Sequence, residues 1–226
     1  MKIEKQNMSN QVLEYLRKQI ILGQFKEGDY LVEATLSKQL EVSRGPIREA
    51  ISKLAAENLV EKHSNGRTVV KGFDIKDIKN LYDSRILLET HALTQIDPAV
   101  LEKNKHYLYL FIDQMWESYE KGNRDIESDF TFHGFLVKLS ENNTLIQLWT
   151  SLREVFRTLI DITSEVTESK QQEIIDEHVK IVDAMVAGNI EEAQKFLTNH
   201  LLEACEYCCE GKRLYVGRDE NVQSEN

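Results

Sequence analysis

Residues 42–51 read Val-Ser-Arg-Gly-Pro-Ile-Arg-Glu-Ala-Ile, and this stretch predicts a short helix that carries two exposed arginines. Ser43 is a favourable N-cap, and Pro46 falls in the first helical turn, where a missing N–H costs little. The buried stripe of this helix is expected to contain Ile47, Ala50, Ile51 and Leu54. Arg44 and Arg48 are four residues apart, so they project together away from that stripe.

The segments on either side complete a recognisable motif. Two stretches with helical spacing of apolar residues precede it, one from Ser9 to Leu22 and one around Leu36. Two strand-like runs, 59–63 and 67–71, follow it and are separated by Asn-Gly, a strong signal for a tight turn. Three helices and a β-hairpin predict a winged helix-turn-helix, with Arg67 beside Gly66 at the tip of the wing.

Each piece of this motif has a plainer explanation when it is taken alone. A pair of exposed arginines is often only solvated surface, and Asn-Gly by itself predicts no more than a turn. Residues 1–72 carry 12 basic and 9 acidic side chains, a net charge of +3, which is a weak signal for a polyanionic partner. The order of all the pieces within about 60 residues is what favours DNA binding.

Residues 9–72 resemble the DNA-binding domain of GntR-type bacterial transcription regulators. The resemblance is carried by Ile21–Leu31, by Val42–Ile51 and by Leu54–Val60, and the core Ser-Arg-x-Pro-Ile-Arg-Glu-Ala is its most specific part. It implies that Arg44 and Arg48 contact DNA bases and phosphates and that Ser43 contacts a phosphate. It also implies that Gly66 and Arg67 contact DNA from the wing. Some members carry a further DNA-contacting arginine where this chain has Ala34.

The rest of the chain predicts a second, all-α domain. Residues 73–226 hold 16 basic and 29 acidic side chains, a net charge of −13. This negative charge argues against a protein that binds DNA without sequence specificity. Helical patterns follow one another without a strand signal, which predicts an antiparallel helical bundle. We expect the DNA-binding domain in residues 1–72, the bundle in 73–213, and a disordered polar tail in 214–226.

Four polar residues interrupt the apolar stripes of three predicted helices. Asp129 and His133 share one helix face, while His178 and His200 each lie on an apolar face of a later helix. A single histidine on such a face is usually a hydrogen-bonded core residue, and that alternative stays open. Three imidazoles and a carboxylate would also suit a divalent first-row metal ion such as Zn²⁺ or Ni²⁺.

Residues 74–204 resemble the FCD domain, the effector domain of the FadR branch of GntR regulators. Metal-binding members take their ligands from an Asp-x-x-x-His pair and two later histidines, and Asp129, His133, His178 and His200 fill those four positions. The resemblance implies a metal site that a small carboxylate metabolite reaches. Arg85 is a candidate to pair with the effector's anionic group, or simply with the carboxylate of Glu89 four residues on.

The whole sequence limits the remaining possibilities. It has 226 residues, no apolar run long enough to span a membrane and no signal-peptide pattern, so a cytoplasmic protein is expected. Cys205, Cys208 and Cys209 lack a second pair at zinc-finger spacing and are expected to be reduced thiols. One winged helix reads few base pairs, so a homodimer is expected. The alternative function is a metal-dependent hydrolase, or another metalloenzyme, with an accessory nucleic-acid-binding domain.

Overall fold

The structure, a computed structural model, describes residues 3–162 and 169–224. Over these residues the chain forms nine helices and one antiparallel hairpin, so the mainly α fold class is confirmed. The helices are α1 (Ile3–Leu22), α2 (Glu33–Gln39), α3 (Arg44–Ala56), α4 (Ile75–Gln95), α5 (Pro98–Glu120), α6 (Ile126–Leu139), α7 (Asn143–Ile162), α8 (Gln171–Val186) and α9 (Ile190–Ser224). The strands are β1 (Val60–Lys62) and β2 (Thr68–Val70).

The chain divides into two compact units. The first contains Met1–Asp77 and Lys212–Asn226, and the second contains Ile78–Gly211. Among the described residues, no helix combines the length and the apolar character that a membrane-spanning segment needs.

The first unit has the winged helix-turn-helix architecture that the sequence predicts. The α3 stripe is buried as expected, and it packs against apolar residues of α1 in one core. In the hairpin, Val60 pairs with Val70 and Lys62 with Thr68. Gly66 has φ of +80°, the backbone conformation that a tight Asn-Gly turn requires and that favours glycine. The hairpin therefore forms the wing at the predicted place.

A buried ion pair links α1 to the end of α3. The guanidinium of Arg17, 1% exposed, donates through Nε and Nη2 to the two carboxylate oxygens of Glu57, at 2.7 Å each. This bidentate geometry satisfies both charges inside the unit. The two residues are 40 positions apart, so no local sequence pattern indicates this ion pair.

The second unit is an antiparallel α-bundle. Helix α5 packs against α6 and α8, and α6 packs against α7. Asp97 caps α5 by accepting from the N–H of Ala99 at 2.7 Å, and Pro98 occupies the first turn.

The last helix extends beyond the predicted boundary. The polar composition of residues 214–226 predicts a disordered tail, whereas α9 continues through Ser224. Residues 225–226 lie outside the described part of the chain. Within the first unit, Lys212 is buried and its Nζ donates to the carbonyl oxygen of Ile21, at the end of α1. Burial lowers the pKa of Lys212. A helix C-terminus offers unpaired carbonyls, and this contact uses one of them.

Candidate functional site

The N-terminal end of α3 carries three of the predicted DNA-binding residues on the surface of the first unit. Ser43 occupies the N-cap position, but its exposed hydroxyl makes no capping hydrogen bond to the described residues. Arg44 is the first residue of the helix and is exposed. The side chain of Arg48, one turn further on, is 67% exposed. This helix end therefore presents two guanidinium groups and a free hydroxyl.

A carboxylate holds one of these arginines in place. Arg48 donates through Nε and Nη2 to the two carboxylate oxygens of Glu33 in α2, at 3.2 and 3.0 Å. The hydrogen bond from Arg48 lowers the pKa of Glu33, and the same bond raises the pKa of Arg48. No sequence pattern indicated a role for Glu33, although it lies next to Ala34, where some GntR members carry a further arginine.

The side chain of Arg67, in the wing, lies against an aromatic ring. The Cζ atom of Arg67 lies 5.5 Å from the centre of the Tyr30 ring, a cation–π arrangement. The backbone N–H of Arg67 donates to Asn65 Oδ1 at 3.1 Å, which stabilises the turn beside Gly66. Tyr30 itself forms an isolated bridge to Val69 of β2. Tyr30 thus supports the wing, a role that no local sequence pattern indicated.

The second unit brings the four predicted metal ligands together. Asp129 and His133 come from α6, His178 from α8 and His200 from α9. One ligand atom from each residue lies within 4.8 Å of the other three. The three imidazoles are buried, and the carboxylate is partly buried. The helical periodicity of the sequence predicts that these residues lie on the inward faces of three helices, and in the structure these faces meet.

All three imidazoles are fixed through the same ring nitrogen. The Nδ1 atoms of His133, His178 and His200 lie 2.7, 2.7 and 2.8 Å from an oxygen acceptor. Those acceptors are, in order, a carboxylate oxygen of Glu89, the carbonyl oxygen of Ile174 and a carboxylate oxygen of Glu177. A nitrogen that faces an acceptor carries the proton, so each Nε2 presents a lone pair.

The inward nitrogens fit a cation. His133 Nε2 and His200 Nε2 face each other at 3.3 Å, and in these tautomers no proton lies between them. His178 Nε2 is 3.2 Å from Asp129 Oδ1, yet it has no hydrogen-bond partner among the described residues. An unsatisfied buried polar atom costs about 1–3 kcal/mol. A divalent ion held by the three Nε2 atoms and the carboxylate would satisfy all four groups together.

Charge around this cluster is arranged to keep the carboxylates ionised. Burial alone would raise the pKa of Glu89, but the Arg85 guanidinium and the His133 imidazole outweigh burial and hold that pKa well below its usual range. Burial likewise acts against ionised Asp129, but the positive charge of the Arg85 guanidinium acts to lower its pKa. Ionised Asp129 can serve as a metal ligand. Ionised Glu89 has no proton to donate, so it accepts the hydrogen bonds that its neighbours offer.

Arg85 lies beside the cluster and lines a pocket that opens to solvent. Its Nε donates to Glu89 Oε1 at 2.6 Å, so the predicted alternative of an ion pair is present. Its Nη2 has no hydrogen-bond partner among the described residues. The cavity wall also contains Asp129, Glu177 and His200. A buried guanidinium with an unused donor is therefore available to an anion in this cavity.

The three cysteines do not join the metal-ligand cluster. All three are buried and none forms a disulfide among the described residues, and Cys208 Sγ lies 3.4 Å from the Tyr82 hydroxyl. Burial, with Cys209 nearby, raises the pKa of Cys205 to about 12. A thiol in that state is protonated at neutral pH and is a poor metal ligand. Within the described ranges, the only potential metal-binding group of three or more side chains is the tetrad of Asp129 and the three histidines.

The metal-free protein should lose stability as the pH falls from 6.5 towards 5.5. Burial lowers the pKa of His133 and of His200, so these rings stay neutral in the folded state while the unfolded chain protonates them near 6.5. The unfolded state then binds more protons, and the free energy of unfolding falls by up to about 1.4 kcal/mol per pH unit for each histidine. Burial raises the pKa of Glu177, which opposes this effect by one proton at most.

Urea unfolding of chelator-treated protein at pH 7.5, 6.5 and 5.5 measures this dependence. A free energy of unfolding that is constant or higher at pH 5.5 would contradict neutral burial of the two rings.

Comparison with known proteins bears on both units. Residues 8–70 match the family model "Bacterial regulatory proteins, gntR family", and residues 80–203 match the FCD domain. The gluconate operon transcriptional repressor of Bacillus subtilis is 27% identical over 189 residues, covering 81% of this chain and 77% of the relative. The Nta operon transcriptional regulator of Aminobacter aminovorans is 27% identical over 180 residues, covering 78% and 83%.

Solved structures show the same fold. A GntR-family regulator from Pseudomonas syringae has a TM-score of 0.54 at 24% identity, covering 95% of this chain and 89% of that one. The metal-free FCD domain of TM0439 has a TM-score of 0.51 at 21% identity, covering 64% and 99%.

The FCD match covers more than half of the chain, and the gntR match accounts for most of the rest. Both describe transcription regulators rather than enzymes, so the hydrolase alternative is not supported. The chain is a GntR-family bacterial transcription regulator with an N-terminal winged helix-turn-helix and a C-terminal FCD domain.

Proposed function

We propose that this regulator is a repressor whose FCD domain binds one divalent metal ion and a small carboxylate metabolite, and whose operator affinity depends on both. The DNA-binding domain is residues 1–72, and the effector domain is 73–213. Zn²⁺ and Ni²⁺ are the candidate ions, because three imidazoles and one carboxylate suit borderline first-row metals.

One observation carries the metal part of the proposal. Three imidazoles from separate helices each have Nδ1 bonded to an acceptor, so three Nε2 lone pairs and the Asp129 carboxylate converge within 4.8 Å. In an ordinary polar core, a hydrogen-bond donor would face each Nε2 lone pair and the carboxylate. Here two lone pairs face each other and a third has no partner among the described residues, which a cation explains.

The effector part rests on the cavity beside the tetrad. A bound ion would offer coordination positions to a carboxylate, and Arg85 Nη2 could pair with the same group or with a second anionic group. The gluconate operon repressor, one of the relatives, is named for a hydroxy acid. We therefore propose a hydroxy acid or sugar acid as the effector of this chain.

The DNA-binding part rests on the exposed end of α3 and on the wing. Arg44 and Arg48 are proposed to contact bases and phosphates, Ser43 a phosphate, and Gly66 and Arg67 the DNA backbone or minor groove. A single recognition helix reads only a few base pairs, so we propose a homodimer on a pseudo-palindromic operator. Light scattering coupled to gel filtration measures the oligomeric state directly.

Operator affinity measured under four conditions tests the proposal. The operator is selected from random duplexes with the purified protein, and its affinity is then determined by fluorescence anisotropy. The samples are chelator-treated protein, Zn²⁺-loaded protein, and each of these with gluconate or another hydroxy acid. We expect an active acid to weaken operator binding by about 5–150-fold, a typical allosteric coupling, and only in the metal-loaded protein. An affinity that depends on neither metal nor acid would reject the sensor function.

A further inference from the structure

Glu89 is buried in the second unit, and both of its carboxylate oxygens accept hydrogen bonds. Its side chain is fully buried, on the α4 stripe that also buries Arg85 and Tyr82. Oε1 accepts from Arg85 Nε at 2.6 Å and from Trp149 Nε1 at 2.7 Å. Oε2 accepts from His133 Nδ1 at 2.7 Å. Both oxygens are therefore engaged by nitrogen donors.

The neighbouring helices make this arrangement rigid. Trp149 of α7 reaches Glu89 because its ring packs on Gly134 of α6, where an added Cβ would lie 2.9 Å from the ring. The Arg85 guanidinium is surrounded by aromatic rings, with Cζ 5.0 Å from the centre of Phe156 and 5.7 Å from that of Phe130. The two donors to Oε1 are thus fixed by packing, and among the described residues the donor to Oε2 is His133.

We propose that Glu89 is a positioning residue of the metal site: it keeps His133 protonated at Nδ1 and so makes His133 Nε2 available as a ligand. This inference rests on the proposed metal-binding function. A hydrogen bond from a ligand histidine to a carboxylate selects the ring tautomer and increases the basicity of the nitrogen that binds the metal. The fully buried Glu89 would do this for His133 from outside the ligand set.

The bonding pattern predicts the effect of one isosteric change. In Glu89→Gln, the amide oxygen is expected to stay at the Oε1 position, because two donors, Arg85 and Trp149, point there. The amide NH₂ then faces His133 Nδ1 and requires an acceptor. His133 would move its proton to Nε2, where His200 Nε2 at 3.3 Å can accept it. The nitrogen aimed at the metal position would lose its lone pair.

Glu177 provides a contrasting case on the same cluster. Among the described residues, Glu177 accepts one hydrogen bond, from His200 Nδ1 to its Oε2 at 2.8 Å. A glutamine there can turn its oxygen towards His200 and its NH₂ towards the cavity, so the ring tautomer need not change. The two Glu→Gln substitutions are chemically identical, and they should differ in effect because only Glu89 is bonded through both oxygens.

Two measurements test the proposal. Long-range ¹H–¹⁵N spectra of the metal-free protein report which nitrogen of each histidine is protonated. We expect His133 protonated at Nδ1 in the wild type and at Nε2 in Glu89→Gln, with His200 unchanged in Glu177→Gln. Zn²⁺ titration against a chromophoric chelator should show affinity about 10–100-fold lower for Glu89→Gln. The loss for Glu177→Gln should be under about threefold, and Glu117→Gln, on the exposed face of α5, should match the wild type.

Each outcome separates this inference from the proposed function. If the wild type binds no Zn²⁺, the metal-sensor function fails, and the spectra still decide whether Glu89 selects the tautomer. If the wild type binds Zn²⁺ and Glu89→Gln binds it equally well, the positioning role is overturned. A wild-type His133 protonated at Nε2 would overturn it too, whether or not the variant folds.

Discussion

Replacing His178 with alanine is expected to leave the purified protein without its metal ion. The His178 ring is fully buried beside the proposed ligands of α6 and α9. Its Nε2 lies 3.2 Å from Asp129 Oδ1 and has no hydrogen-bond partner among the described residues. Its loss removes one of four ligands and leaves two imidazoles and a carboxylate. We expect the metal content to fall from about one ion per chain to roughly a tenth or less, since only three of the four proposed protein ligands would remain.

Elemental analysis of protein purified without chelator measures this effect. His106→Ala is the matched control, because His106 is exposed on α5 and lies outside the tetrad. The far-ultraviolet circular dichroism of both variants should match the wild type, which separates ligand loss from unfolding. Unchanged metal content in His178→Ala would show that the ion, if present, is held elsewhere.

Arg44→Ala and Arg48→Ala are each expected to abolish specific operator binding. A bidentate contact from arginine to a base contributes about 1–3 kcal/mol of discrimination, and a dimer loses it in both half-sites. Neither change should unfold the protein. Arg44 is exposed, and the ion pair of Arg48 with Glu33 is a surface pair, a class whose contribution to stability is small.

Fluorescence anisotropy on operator and on scrambled duplexes measures the loss. Lys103→Ala removes the same charge from an exposed position of α5 and should retain the wild-type ratio of specific to non-specific affinity. Thermal unfolding confirms that the arginine variants are folded. Wild-type operator affinity in both arginine variants would contradict the assignment of α3 as the recognition helix.

Local patterns were sufficient for most of the fold. The α3 stripe has helical spacing, the turn at Gly66 follows Asn65, and Asp97 with Pro98 is a typical helix start, so each element could be read from its own residues. The end of α9 was different. Its polar composition after residue 213 resembles a disordered tail, and nothing in that composition indicates that the helix continues through Ser224.

The candidate site was predictable in its ligands but not in their partners. Asp129, His133, His178 and His200 are polar residues on apolar stripes, which the sequence displays directly. Their hydrogen-bond partners come from other elements, such as Glu89 of α4 for His133 and Glu33 of α2 for Arg48. One local signal did exist: Arg85 and Glu89 are two charged residues on the otherwise apolar stripe of α4. Two charges on a buried stripe indicate a polar network rather than a simple core.

Anomalous diffraction from crystals of protein purified without chelator tests the central claim most directly. The tetrad predicts a single metal peak in the second unit, about 2.0–2.2 Å from the Nε2 atoms of His133, His178 and His200 and from a carboxylate oxygen of Asp129. An anomalous signal at the cysteines instead, or a tetrad filled only by water after incubation with Zn²⁺ and Ni²⁺, would contradict the account.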